Sequence, residues 1–275
     1  MRYYHIEIAI DTKEQAPFFI GSLIRGTFGY ALKKVVCINP SFKCEGCFAE
    51  DKCSYYSFYE KENSFAPYRF DINLGTKKFD FGLYLFNEAC KELPYIISAL
   101  AQMLQERGVT RKRITFEKFT ILVNQKVVFE NNEFKSLDIL QKELKVDNYC
   151  RDIKIKLLTP IRIKKNNRFL KNNLELEDIL RSIYQRYTEL EEGKKVFKLD
   201  YTPSYKSILK ALRPQKLVRK SNRQKQTMRM DGIVGEIAVL GVDRESYRLL
   251  KIGEIIGVGK QTIMGLGKIE VEDLN

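Results

Sequence analysis

Four cysteines, Cys37, Cys44, Cys47 and Cys53, follow one another in the spacing C-x6-C-x2-C-x5-C. Four clustered thiolates suit a tetrahedral ion, with zinc favoured, and they leave no coordination position open for a catalytic water. An iron–sulfur cluster uses the same ligands, and free or redox-active thiols are the third reading. In each case the expected role is structural, because a metal would fold an insertion that lacks a core of its own. Cys90 and Cys150 stand alone and read as buried or incidental.

A second chemistry-bearing stretch is "GVGKQTIMGLGKIEV", Gly257 to Val271. A phosphate-binding G-x-x-x-x-G-K-[ST] loop is excluded: Gly253 is one residue out of register with Gly259-Lys260, and Gln261 stands where a hydroxyl must chelate magnesium. A dinucleotide fingerprint fails too, since Thr262 occupies its third glycine position. Two readings remain, a plain β-turn or a surface where backbone approaches a phosphodiester chain. The second would use Gly257, Gly259, Lys260, Gly265, Gly267 and Lys268.

The formal net charge is +13 over 275 residues. From Tyr201 to Met230 there are nine basic residues and no acid, among them Arg213, Lys216, Arg219, Lys220, Arg223 and Lys225. Residues 151 to 172 add eight more against Asp152. A solvated basic face is the bland alternative. The clustering favours a polyanionic partner, and nucleic acid over membrane, because no basic amphipathic helix with a bulky apolar face accompanies these runs. No apolar run reaches 18 residues, so no membrane span is expected. The opening "MRYYHIEIAIDTKEQ" alternates like a strand rather than a signal peptide, so a cytoplasmic setting is expected, where disulfides would be unusual.

The elements that must position these groups occur in the same order twice. In the first half, "RYYHIEIAI" is a strand with Tyr4, Ile6, Ile8 and Ile10 on one face, and "APFFIGSLIRGTFGYALKKVV" is a helix. The strands "YRFDINL" and "FDFGLYLF", a helix over 87–108, and a strand or strand pair over 114–130 complete it. In the second half, "IKIKLLTPIRIK" is a strand whose proline predicts a bend or an edge position. "LELEDILRSIYQRYTELEEG" is a helix that Gly193 can end, and a second helix is expected at "YTPSYKSILKALRP". "VRKSNRQKQTMRM" and "GIVGEIAVLG" read as strands, "ESYRLLKIGEIIG" as a short helix and "GLGKIEVE" as the last strand. The fold class is therefore α+β, with tandem ferredoxin-like (RRM-like) domains at 1–148 and 149–275 and a small Cys-rich metal-binding insertion at about 37–60. RNA-recognition modules share this topology.

The series "GSLIRGTFGYALKKVVC", the cysteine loop ending "CSYYSFYE", "LTPIRIK", "GIVGEIAVLG" and "GVGKQTIMGLGKI" resembles the CRISPR precursor-RNA-processing endoribonucleases of the RAMP superfamily. The resemblance covers most of the chain. It implies metal-independent cleavage of repeat RNA by attack of a ribose 2′-hydroxyl, leaving a 2′,3′-cyclic phosphate and needing no catalytic cofactor. It also implies guide RNAs passed to an interference complex; a non-catalytic subunit that retains guide RNA is the alternative. Relatives whose first helix reads Arg-Gly-x-Phe-Gly often have histidine next, where this chain has Tyr30. The one histidine, His5, lies on the first strand and reads as a surface or RNA-contacting residue. Tyr30, Lys33 and Lys34 are spaced to share a helical face. They are the candidate cleavage residues, with Arg25 a turn earlier to offset phosphorane charge.

Overall fold

The computed structural model describes residues 1–110, 112–220 and 227–274. Two units divide the chain, Met1–Glu143 and Leu144–Asn275. Both are α+β with antiparallel sheets.

In the first unit β1 (Arg2–Asp11), α1 (Gly21–Val36), β2 (Tyr68–Asp71), β3 (Phe81–Phe86), α2 (Leu93–Gln102) and β4 (Lys118–Val123) are followed by β5 (Lys126–Glu130), β6 (Glu133–Phe134) and β7 (Lys142–Glu143). The sheet order is β2-β3-β1-β4-β5-β6, with β7 paired to β1. Alternation along β1 buries Tyr4, Ile6 and Ile8 and turns His5 and Glu7 to the opposite face. Ile24, Phe28 and Leu32 of α1 and Ile96 and Leu100 of α2 are buried as well, as a helix layer over one face of a sheet requires. The helix expected over 87–108 is three pieces: a 3-10 turn Asn87–Glu92, α2, and a π turn Met103–Arg107 ending on Gly108 at φ 69°. Pro94 sits in the first turn of α2, where a missing N–H costs no hydrogen bond.

The second unit contains β8 (Ile153–Ile161), β9 (Lys164–Lys165), β10 (Arg168–Phe169), α3 (Leu176–Glu192) and β11 (Ser207–Gln215). There follow β12 (Val218–Lys220), β13 (Thr227–Arg229), β14 (Gly232–Leu240), α4 (Arg244–Ile256) and β15 (Ile269–Asp273). Its main sheet runs β11-β14-β8-β15. In both units the four principal strands thus lie in the spatial order second, third, first, fourth, consistent with two ferredoxin-like repeats.

One expectation is corrected here, and one of two alternatives is decided. Residues 207–215 are a strand, not a helix: nine register pairs to β14, from Ser207↔Leu240 to Gln215↔Gly232, override the local helix propensity. Pro214 is tolerated because β11 is an edge. The proline-bearing strand β8 is interior rather than an edge, lying between β14 and β15. Its proline is accommodated by a bend, for the β8–β14 register shifts between Ile233 and Gly235, beside Pro160.

Helix α4 feeds directly into the glycine stretch, and its start is anchored by Asp243. That carboxylate accepts hydrogen bonds from Ser246 N (2.8 Å), Ser246 Oγ (2.7 Å) and Ser204 N (2.8 Å). Burial alone would raise its pKa; these bonds outweigh burial and hold it below its ordinary value. Asp243 therefore stabilises the fold above the ordinary carboxylate range, and the contribution is lost as pH falls through the lowered folded pKa. Asp243→Ala is expected to cost about 1–2 kcal/mol at pH 7, a difference from wild type that closes as urea titrations are repeated at progressively acid pH. An unchanged difference in acid would refute the linkage.

Candidate functional site

Helix α1 distributes the predicted cleavage residues to two sides. Arg25 and Lys33 face a strap formed by the segment after the cysteine loop, where Tyr55 and Tyr59 stack with centroids 5.1 Å apart. The Arg25 guanidinium lies 4.7 Å from the Tyr59 ring centre, and Lys33 Nζ lies 4.9 Å from that of Tyr55. Tyr59 donates its hydroxyl hydrogen to the Arg25 carbonyl at 2.8 Å. Only glycine fits at position 29 between them, since a Cβ there would stand 2.5 Å from the Tyr59 ring. Burial pushes the Tyr59 phenol well above its usual pKa, so it serves as a neutral donor.

Tyr30 and Lys34 face the end of α2 instead. Tyr30 is 56% exposed, and the Arg107 guanidinium covers its ring at 4.5 Å. Lys34 pairs with Glu106 at 3.3 Å, both partners more than half exposed, so the pair contributes little stability. Arg107 and Glu106 were not among the sequence candidates. The π turn that carries them depends on the extra residue in its ring, which apolar spacing does not reveal.

His5 is far from this role. It stacks on Tyr84 (4.3 Å, 14°) within β1–β3, and Arg69 lies over the same tyrosine at 4.5 Å. Burial lowers its pKa, against the opposing pull of Glu7 and Asp71.

The four thiols are free of disulfides and partly exposed. Among the described residues no three His, Cys, Asp or Glu side chains stand together in position to hold a metal ion.

In the second unit Gly257, Gly259, Gly265 and Gly267 are all buried, with φ between 77° and 78°. Gly267 fits under the Val258 carbonyl, and a Cβ at Gly259 would stand 2.6 Å from the Arg162 carbonyl oxygen. The amides are committed within the unit: Val258 N to Gly267 O, Gly259 N to Ser182 Oγ, Lys260 N to Arg162 O and Lys268 N to Thr159 Oγ1, at 2.8–2.9 Å. Arg162, 6% exposed, donates to Gln261 Oε1 at 2.8 Å and to the Asp231 carbonyl, and its guanidinium covers Phe169 at 4.2 Å. Arg186, also buried, donates to the Gly259 carbonyl at 2.8 Å. The stretch is thus a braced pedestal whose exposed basic product is Lys260. Its pKa is lowered by partial desolvation and then by the neighbouring charges of Arg186 and Lys164, against the opposing pull of Glu189.

The basic segment reaches the same pedestal. Arg219 on β12 points its guanidinium at the sulfurs of Met264 (3.4 Å) and Met228 (3.3 Å). Arg213 and Lys216 are exposed, and Lys268 is half-buried. Lys220 ends β12, while Arg223 and Lys225 lie outside the described residues. Arg162, Arg186 and Lys164 were missed, because a cation used to brace a loop looks like any other cation in sequence. No helix among the described residues is long and apolar enough to cross a membrane.

Comparison with known proteins gives two matching families. Residues 1–143 match the N-terminal domain AF_1859_N, and residues 155–269 match the CRISPR-associated endoribonuclease Cas6. An uncharacterised protein of Archaeoglobus fulgidus is 22% identical over 271 residues, covering 91% of each chain. Among solved structures, a product complex of a Thermus thermophilus Cas6 superposes with TM-score 0.59 at 14% identity, over 98% of both chains. A RAMP protein binding different RNA substrates superposes with TM-score 0.50 at 13% identity, over 99% of this chain and 100% of that one. At these identities the solved structures establish the fold.

The pedestal can be tested without any ligand. Gly267→Ala is expected to destabilise the chain by about 2–4 kcal/mol, since it combines left-handed strain with a clash against backbone. Gly26→Ala, on an exposed helical turn with open space around it, should leave stability unchanged or raise it by up to about 1 kcal/mol. Equal urea midpoints for the two variants would overturn the assignment.

Proposed function

The chain belongs to the Cas6-type CRISPR-associated endoribonuclease family of the RAMP superfamily, with an AF_1859_N N-terminal domain, and from that premise we propose that it binds CRISPR repeat RNA and cuts the precursor transcript without a catalytic metal. The observation that carries the cleavage reading is the exposed phenol of Tyr30 on α1, with the Arg107 guanidinium over its ring and Lys34 on the same side of the helix. The 2′-hydroxyl gives its proton to solvent water as its oxygen attacks the adjacent phosphorus, the bond to the 5′-oxygen breaks and that oxygen takes up a proton, and a 2′,3′-cyclic phosphate and a 5′-hydroxyl result. In this reading Tyr30 supplies the leaving oxygen's proton and is reprotonated from solvent, Lys34 and Arg107 on its side offset the charge of the phosphorane, and Lys33 and Arg25 add positive charge on the strap side of the helix. Lys260, Lys268, Arg213, Lys216 and Arg219, with Lys220, Arg223 and Lys225, hold the RNA backbone. The buried glycines 257, 259, 265 and 267 act through the pedestal that displays Lys260. Mature guide RNA would then pass to an interference complex in the cytoplasm.

One observation favours a second reading, a non-catalytic subunit that retains guide RNA. The only histidine is stacked into the β1–β3 face with a lowered pKa, and α1 carries none.

Incubation with the cognate repeat RNA in EDTA distinguishes the two. Cleavage with cyclic-phosphate termini is expected, and Tyr30→Phe should slow single-turnover cleavage by about 100-fold or more while leaving RNA affinity within about twofold. Tight binding without turnover would select the retaining subunit.

Lys260→Ala is expected to weaken RNA binding across repeat sequences and to flatten the dependence of log affinity on log salt by about one. A bound phosphate relieves the repulsion around Lys260 and raises its pKa, so the complex takes up a proton in the alkaline range below 10.5. Affinity should accordingly fall with rising pH there, more steeply for wild type than for the alanine variant. Parallel pH profiles would remove Lys260 from the interface.

A further inference from the structure

We propose that Cys37, Cys44, Cys47 and Cys53 take one Zn²⁺ ion, and that this ion fixes the Tyr55–Tyr59 strap against α1. The segment from Cys37 to Ser57 contributes no buried side chain, while Ile38 and Phe48 are 71% and 77% exposed. A surface excursion of this length without a core is uncommon unless something else ties it down. Its cysteines occupy the positions from which a tie would act. Cys37 closes α1, its amide donating to the Lys33 carbonyl at 3.0 Å. Cys53 opens the strap, its carbonyl accepting from Ser57 N at 3.0 Å.

Between them Cys44 and Cys47 form a tight turn, with Cys47 N on the Cys44 carbonyl at 3.2 Å and Gly46 at φ 65°. Such a turn presents two thiols on one side. Asn39 already brings a third toward it: its carbonyl lies 3.7 Å from Cys37 Sγ, and its side-chain amide lies 3.4 Å from Cys47 Sγ. The thiols do not yet surround a common point, so the ion does the gathering, as in small domains whose fold and metal binding are one equilibrium.

The consequence reaches α1. Cys37 lies four residues after Lys33, and Cys53 lies two residues before Tyr55. An ion joining both cysteines therefore shortens the free path between α1 and the strap, and holds Tyr59 in the slot left by Gly29. The proposal concerns the strap and stands apart from whether Tyr30 cleaves RNA.

Full-length protein purified without chelator should contain one equivalent of zinc by elemental analysis, and Cys44→Ser less than about a tenth of that. Chelation of the wild type, which needs no substitution, should speed amide hydrogen exchange in residues 54–60 at least tenfold, leave β1 unchanged, and be reversed by added Zn²⁺. Four freely titrating thiols with no metal, a disulfide in the loop, or iron with sulfide in place of zinc would each overturn the metal assignment. Zinc present but exchange at 54–60 indifferent to its removal would overturn the strap. All these readouts are independent of RNA, so loss of cleavage alone bears only on the proposed function.

Discussion

The carbonyl of Val258 and the residue beneath it govern the C-terminal unit. Because position 267 has no Cβ, the chain after α4 folds back on itself closely enough for Val258 N to reach the Gly267 carbonyl. Further contacts brace the same stretch. Thr159 bonds the Gly265 carbonyl, Arg162 holds Gln261, and Arg186 caps the Gly259 carbonyl. Two arginines at 6% and 3% exposure are thereby desolvated by the protein's own oxygens. Buried guanidinium groups without such acceptors would cost several kcal/mol each. The glycines consequently do their physical work inside the unit, and the face offered outward is built from lysine.

Helix α1 is organised by aromatic rings rather than by ion pairs. Arg25 and Lys33 each rest on a tyrosine of the strap, and Tyr30 itself lies under Arg107. A cation over a ring keeps its charge and most of its donor hydrogens, whereas a cation bonded to a carboxylate is neutralised. Lys34, paired with Glu106, is the exception. The arrangement leaves Arg107 charged over the exposed Tyr30 ring, and Arg25 and Lys33 charged on the strap side of the same helix. It also shows why Arg-Gly-Thr-Phe-Gly is the useful order here: Phe28 is fully buried in the core while Gly29, one position on, admits Tyr59.

The strands and helices with clean periodicity were legible from sequence. β1 and α3 have the expected character, and Gly193 ends α3 in the left-handed conformation at φ 67°. Residues 207–215 were misread because Ile208, Leu209, Leu212 and the lysine between them fit a helix as well as a strand. Only the long register with β14, distant in sequence, decides it. The common face assigned to Tyr30, Lys33 and Lys34 was a matter of spacing, and spacing does not say what stands beside a helix. Tyr55 on one side and Arg107 on the other separate Lys33 from Tyr30 and Lys34. Both partners come from π turns or their edges, where the ordinary helical count slips by one.

The net charge of +13 acquires a more specific meaning once the fold is known. Many of its cations are spent internally: Lys154 and Lys156 pair with Glu236 and Glu272 across the sheet, and Lys210 pairs with Glu175 at the head of α3. Arg162 and Arg186 brace the glycine stretch. At Lys260 partial desolvation comes first, and the charges of Arg186 and Lys164 then add to it against the opposing pull of Glu189, so that its pKa is lowered. Holding like charges together costs stability in the free protein. The pedestal therefore displays Lys260 at its surface with two further cations close by.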